Sequence, residues 1–151
     1  MPLEGKPLEA INEADLQALI DNQVAETKTI EYKSALPGNS DSQKTDCLAD
    51  VSSFANASGG HLIYGMKEEQ GVPTELCGLP GIDADAEILR LENIIRDTTE
   101  PRIPGISTRA IALLGPKNAA LVVRIPKNWA LPHRVTYKGH GHFYSRNSAG
   151  K

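Results

Sequence analysis

The sequence predicts an α+β domain with a mixed or mostly antiparallel sheet flanked by about three helices. Three observations carry this. Helical periodicity is confined to the first hundred residues, whereas residues 107–146 read as short strands separated by turns. One apolar helix runs through Gly59-Gly60 directly into an apolar strand, a compact unit that leaves the strand beside the helix. The 151 residues, 40% hydrophobic and 23% charged, have the size and composition of one globular domain, which excludes disordered, collagen-like and coiled-coil chains.

Taken in order, the first ten residues carry two prolines and no period, so residues 1–12 are expected to be a flexible arm and residues 13–149 a single domain. Asn12 reads as an N-cap, with Glu13 and Asp15 in the first turn and Leu16, Leu19, Ile20 and Val24 at helical spacing; this predicts a helix over 13–23. Thr29–Lys33 has strand composition, and 35–42 (ALPGNSDS) is a turn-rich loop. Cys47, Leu48, Val51, Phe54 and Ala55 stripe a helix over 43–57, capped by Asp41 or Ser42 and closed by glycine. His61–Met66 is a buried strand. A third helix starts at Asp83 or Asp85 and stops at Glu100-Pro101, since a residue before proline avoids helical geometry. Strands then follow at 107–114, 119–126, 133–137 and 142–146.

The net charge of −3 conceals a split. Residues 1–100 hold all 19 acidic residues and 7 basic ones, a balance of −12; residues 101–151 hold 9 basic residues, a balance of +9. Segregation of this kind suits either an anionic partner or pairing of the two halves with each other. No apolar run approaches the roughly 18 residues of a membrane span, and the N-terminus has no signal-peptide apolar region, so a cytoplasmic protein with no membrane partner is expected. Cys47 and Cys77 make no disulfide framework.

The densest polar group is Glu26-Thr27-Lys28-Thr29-Ile30-Glu31-Tyr32-Lys33. On a strand Glu31 and Lys33 share a face. They are either a surface ion pair or a carboxylate metal ligand beside a phosphate-contacting lysine; carboxylate oxygens suit Mg²⁺ or Mn²⁺. Glu26 lies an odd number of residues away, so a site shared with Glu31 requires a bend at Thr27–Thr29. Glu68 and Glu69 are either exposed turn charges or a third carboxylate at a strand end. In the basic C-terminal stretch, Arg109, Arg124, Arg134, Lys138 and Arg146 interleave with Tyr137, Phe143 and Tyr144. Such groups hold phosphates and stack on unpaired bases, or else serve the core and solubility. His133, His140 and His142 offer either polar hairpin positions or zinc ligands. No phosphate-binding glycine loop is present, so nucleotide binding has no support from spacing.

Phe54-Ala55-Asn56-Ala57-Ser58-Gly59-Gly60 with Gly65, the preceding Glu26-x-x-x-x-Glu31-Tyr32-Lys33, and the tail Pro132-His133…Gly141-x-Phe143-Tyr144-x-Arg146-x-Ser148 together resemble the Schlafen AlbA-like domain family, over residues 13–149. The resemblance implies an α+β nucleic-acid-binding module, DNA or RNA, placed at the N-terminus of transcriptional regulators; the end at Gly150-Lys151 then suggests an excised domain. The family also carries an ATP-binding label. Its vertebrate members imply a second reading, a metal-dependent endoribonuclease, in which Glu26, Glu31 and Glu68 would be both catalytic residues and ligands of Mg²⁺ or Mn²⁺. Glu68 stands where an aspartate is usual and Lys67 brings a positive charge beside it, so the resemblance favours binding over cutting. The expected nucleic-acid contacts are Lys33, Arg109, Arg124, Arg134, Lys138, Tyr144 and Arg146. A dimerisation module, as a homodimer pairing basic hairpin with acidic neighbour, is a third reading.

Overall fold

Four strands, β1 (Ile30–Lys33), β2 (Gly59–Tyr64), β6 (Ser107–Ala112) and β7 (Ala119–Pro126), form a mixed sheet in the order β1-β2-β7-β6. β1 runs parallel to β2, while β2–β7 and β7–β6 are antiparallel. The computed structural model describes residues 3, 5–100, 103–115, 118–127, 134–135, 142–144 and 146. A two-stranded hairpin, β3 (Lys67–Glu69) with β4 (Val72–Glu75), follows β2. A small antiparallel sheet joins β5 (Thr99–Glu100), β8 (Arg134–Val135) and β9 (His142–Phe143). With three α-helices among the described residues this is the α+β architecture the sequence predicts.

Alternation along the strands sorts side chains onto two faces. Leu62, Tyr64, Leu121, Val123 and Ile125 face helices α2 (Asp41–Ala55) and α3 (Ala84–Thr98), whose Leu48, Val51, Phe54, Leu91 and Ile95 complete one core. Ile30, Tyr32, Ile63, Ala120, Val122 and Ile111 face the other way, onto α1 (Glu13–Asp21) and the chain before it. Among the described residues of 1–12, where a flexible arm is expected, apolar side chains join this second core. Leu3, Leu8 and Ile11 are buried, because the sheet would otherwise expose an apolar face on that side.

The helix starts follow capping chemistry. Asn12 and Asp15 form a reciprocal capping box, with Asp15 N–H donating to Asn12 Oδ1 (3.2 Å) and Asn12 N–H to Asp15 Oδ2 (2.9 Å). The Lys6 ammonium, 2.8 Å from Asp15 Oδ1, holds that carboxyl below its usual range, against the opposing effect of burial. α2 is capped by Ser40 rather than Asp41 or Ser42: Gln43 N–H donates to Ser40 Oγ at 3.2 Å. Asp83 caps α3 by accepting from Ala86 N–H.

β3–β4 is absent from the sequence reading. Gln70 (φ 50°) and Gly71 (φ 82°) form its two-residue turn, and both left-handed positions match the twist of a tight hairpin. α2 is buried over Cys47–Ala55, polar residues included, because the sheet covers one side and α3 with β8 and β9 pack on others. Ser52 and Ser53 satisfy their hydroxyls within the helix, on Ala49 O and Asp50 O.

Candidate functional site

The acidic motif begins with a bend at Thr27–Ile30. Thr27 and Ile30 form an isolated bridge, and Thr27 N–H donates to Ile30 O at 3.1 Å. The bend turns Glu26 back along β1, where its Oε2 accepts the Tyr32 N–H at 3.0 Å. Glu26 N–H donates to Gly71 O (2.7 Å) and Gly71 N–H donates to Glu68 Oε2 (2.7 Å), so Glu26 and Glu68 meet at the tip of the β3–β4 hairpin.

Glu31 lies elsewhere, on the face of β1 that looks at α2. Its Oε1 is 3.1 Å from Arg146 Nη1 and its Oε2 is 3.6 Å from Lys33 Nζ, which in turn lies 3.4 Å from Asp50 Oδ2. Burial disfavours the Lys33 ammonium, but Asp50, Glu31 and Glu26 outweigh it and raise the Lys33 pKa; it stays charged. Asp50, its side chain 2% exposed, is the member that sequence reasoning missed. Its signal was available: Asp46, Asp50 and Ser53 recur at helical spacing beside the apolar stripe of α2, a polar line that a buried helix retains only where partners face it.

The arginines expected at a nucleic-acid surface are largely structural. Arg109 Nη1 donates to Leu8 O and Ile11 O (2.8 and 2.6 Å). Arg124 Nη2 donates to Leu3 O and Lys6 O (3.1 and 2.6 Å), and its Nε to His61 Nε2 at 2.9 Å. Both clamp the N-terminal segment onto the sheet. Arg146 is buried, its Nη1 donating to Glu31 Oε1 at 3.1 Å. Tyr144 is partly buried against the α2–α3 core, and its carbonyl accepts from Asn56 Nδ2. Arg134 sits in β8 opposite Phe143; Lys138, His133 and His140 fall outside the described residues.

Two clefts, each of about 220 Å³, lie at opposite ends of the β1–β2 pair. The one beyond Lys33 is walled by Ser34, Gln43, Asp46, Asp50 and Tyr64, and phosphate approaching it meets two carboxylates. Cys47 also lines it; burial pushes its thiol up to about 11. The other is walled by Ser58, Gly60, His61, Arg124, Pro126 and Lys127, with two cations and no carboxylate among the described lining residues. Lys127 is exposed and donates to Ala57 O at 2.6 Å. Exposed Lys28 precedes Thr29, whose carbonyl accepts the His61 N–H, so the chain at Lys28 runs beside this cleft. Burial, and then the Arg124 charge, depress the His61 pKa to about 4, so His61 is a neutral acceptor.

A model of the Schlafen, AlbA_2 family matches residues 26–151, which spans both the acidic motif and the basic cleft. The chain belongs to this family. The Schlafen AlbA_2 domain described here is similar in structure to the N-terminal domain of a protein from Nitrosomonas europaea named for its relation to the RecG ATP-dependent DNA helicase. That match has a TM-score of 0.61 and 22% identity, and covers 86% of each chain. It also resembles the DIP2311 protein of Corynebacterium diphtheriae (TM-score 0.54, 14% identity), covering 90% of the Schlafen AlbA_2 chain but 28% of that protein. Both likenesses concern the fold. No curated protein matches the chain.

The divalent ion that family resemblance implies does not fit these residues. Among the described residues no three His, Cys, Asp or Glu side chains converge as a metal site. The Schlafen AlbA_2 carboxylates take separate partners, Glu26 the Tyr32 amide, Glu68 the Gly71 amide, and Glu31 the Arg146 guanidinium and Lys33 ammonium. Among the described residues no helix is long and apolar enough to cross a membrane.

Proposed function

We propose that this domain binds nucleic acid through the cleft at Ser58–Lys127, as the binding module of a regulatory protein. The observation that carries this is the composition of the cleft: among the described residues that line it, Arg124 and Lys127 contribute positive charge and none is a carboxylate. Ser58 adds a hydroxyl, neutral His61 adds no repulsion to a passing base, and exposed Lys28 lies one residue before Thr29, whose carbonyl bonds His61 N–H. Arg124 is committed to the fold and acts by its charge; Lys127 and Lys28 are the phosphate contacts. The family and the helicase-related name of the Nitrosomonas europaea relative support the same class of ligand.

Fluorescence anisotropy with labelled single-stranded and duplex DNA and RNA tests it. At low salt at least one of the four should bind, with an affinity that falls linearly on a log–log salt plot. Lys127→Glu with Lys28→Glu should weaken binding about tenfold or more, and each lost phosphate contact should reduce the salt slope by about 0.7–0.9. Absence of binding by all four probes, or full affinity in the double variant, would overturn the assignment.

A further inference from the structure

We propose that Arg146 is the resident cation of the acidic motif, standing where a divalent ion would stand, so that this domain is assembled without a metal centre at Glu26, Glu31 and Glu68. Three oxygens of the motif converge on one guanidinium: Thr27 O accepts from Nη2 (2.9 Å), Lys28 O from Nε (3.1 Å) and Glu31 Oε1 from Nη1 (3.1 Å). Two carbonyls and a carboxylate are the hard donors that Mg²⁺ or Mn²⁺ would seek. Here a planar fork of N–H donors uses them instead.

The arginine is built in. Its side chain is 0% exposed, Nη1 also donates to Ser53 Oγ at 3.3 Å, and the guanidinium carbon lies 3.9 Å from the centroid of the Phe54 ring. The Phe54 face favours a cation there. Arg146 therefore does the organising that a metal would do: it fixes both carbonyls of the bend, and the bend aims Glu26 at Tyr32. Arg146 and Lys33 already offset Glu31 and Asp50. An entering divalent ion would have to displace a buried, multiply bonded arginine and leave its charge without a partner.

This inference concerns the acidic motif and stands whether or not the Lys127 cleft binds nucleic acid. It is tested by titrating the intact chain with Mn²⁺, followed by electron paramagnetic resonance of the free ion, in wild type and in Glu31→Gln. The expected result is no uptake that depends on Glu31, and a melting temperature unchanged by EDTA. One Mn²⁺ per chain that disappears in Glu31→Gln would overturn the proposal. Arg146→Gln and Glu31→Gln, singly and together, supply an independent measurement. Each single change should lower the melting temperature, and the double change should lower it by less than the two losses added. Strict additivity would show that the two do not act as partners, which also overturns it. Should a single variant fail to fold, the wild-type titration decides alone.

Discussion

His61 Nε2 accepts a hydrogen bond from Arg124 Nε at 2.9 Å, and the same guanidinium holds the carbonyls of Leu3 and Lys6. A protonated imidazole cannot accept that bond, and it would face the arginine's positive charge. The His61 pKa therefore lies at about 4, below the 6.5 of the unfolded chain. The unfolded state takes up the proton first, so stability from this residue is complete above about pH 6.5. It declines as pH falls through the interval and levels off below about 4. The full loss is on the order of 3 kcal/mol. Urea melts at half-unit pH steps should show this decline. His61→Gln should remove it, and a slope between pH 6.5 and 4 as steep in the variant as in wild type would refute the assignment.

Arg109 should behave as a structural residue. Arg109→Ala strips the carbonyls of Leu8 and Ile11 of a charged donor and should cost about 1.5–3 kcal/mol in chemical denaturation. Nucleic-acid affinity of the folded variant should stay within about twofold of wild type, because the side chain points to the N-terminal segment. A large drop in affinity with unchanged stability would contradict this placement.

Two glycines with left-handed geometry should respond differently to alanine. A Cβ at Gly60 (φ 155°) would lie 2.4 Å from Thr29 O and 2.7 Å from the Phe54 ring. Neither the β1–β2 ladder nor the ring beneath Arg146 can withdraw. Gly81 (φ 76°) has nothing within 4 Å of such a Cβ, so only backbone strain applies. Gly81→Ala should cost about 1–2 kcal/mol and Gly60→Ala upward of about 3 kcal/mol, both read from thermal melts.

The cysteines should separate by reactivity. Cys47 is buried, its thiol raised to about 11, and it sits 3.5 Å from Tyr64 Oη. Cys77 is half-buried. Alkylation of the native chain at pH 8 should label Cys77 first and Cys47 only as the domain unfolds, as peptide mass mapping would show. Equal labelling rates would mean that the α2 core is looser than described.

Much of the fold was legible because its signals are local. Asn12, Gly59-Gly60, the β7 stretch and the Asp83 cap each declare themselves within a few residues. The burial of the N-terminal apolar residues was not legible because Leu3, Leu8 and Ile11 have no shared period; they are spaced to meet a sheet face, and only the sheet shows it. The site was legible in its parts and not in its pairing. The odd spacing tied a bend at Thr27–Thr29 to a site shared by Glu26 and Glu31; the bend is there, and the two carboxylates take different partners. That Arg146 would travel more than a hundred residues back to Glu31, or that Arg109 and Arg124 would turn toward backbone carbonyls, has no local trace. A basic residue on a strand has two faces open to it, and the sequence of the strand alone does not say what covers each.

The contact of Glu26 with Tyr32 has a consequence for how these molecules meet one another. β1 ends the sheet, and its odd-numbered residues bond to β2: Thr29 O accepts His61 N–H and Lys33 O accepts Gly65 N–H. The Tyr32 amide therefore points outward, where an incoming strand would dock, and the chain's own carboxylate already occupies it. A negative charge at an open strand is an obstacle to polymerisation. A strand adding to this sheet at β1 would have to displace the Glu26 carboxylate, a residue that reads in sequence as part of an acidic motif, from the Tyr32 amide.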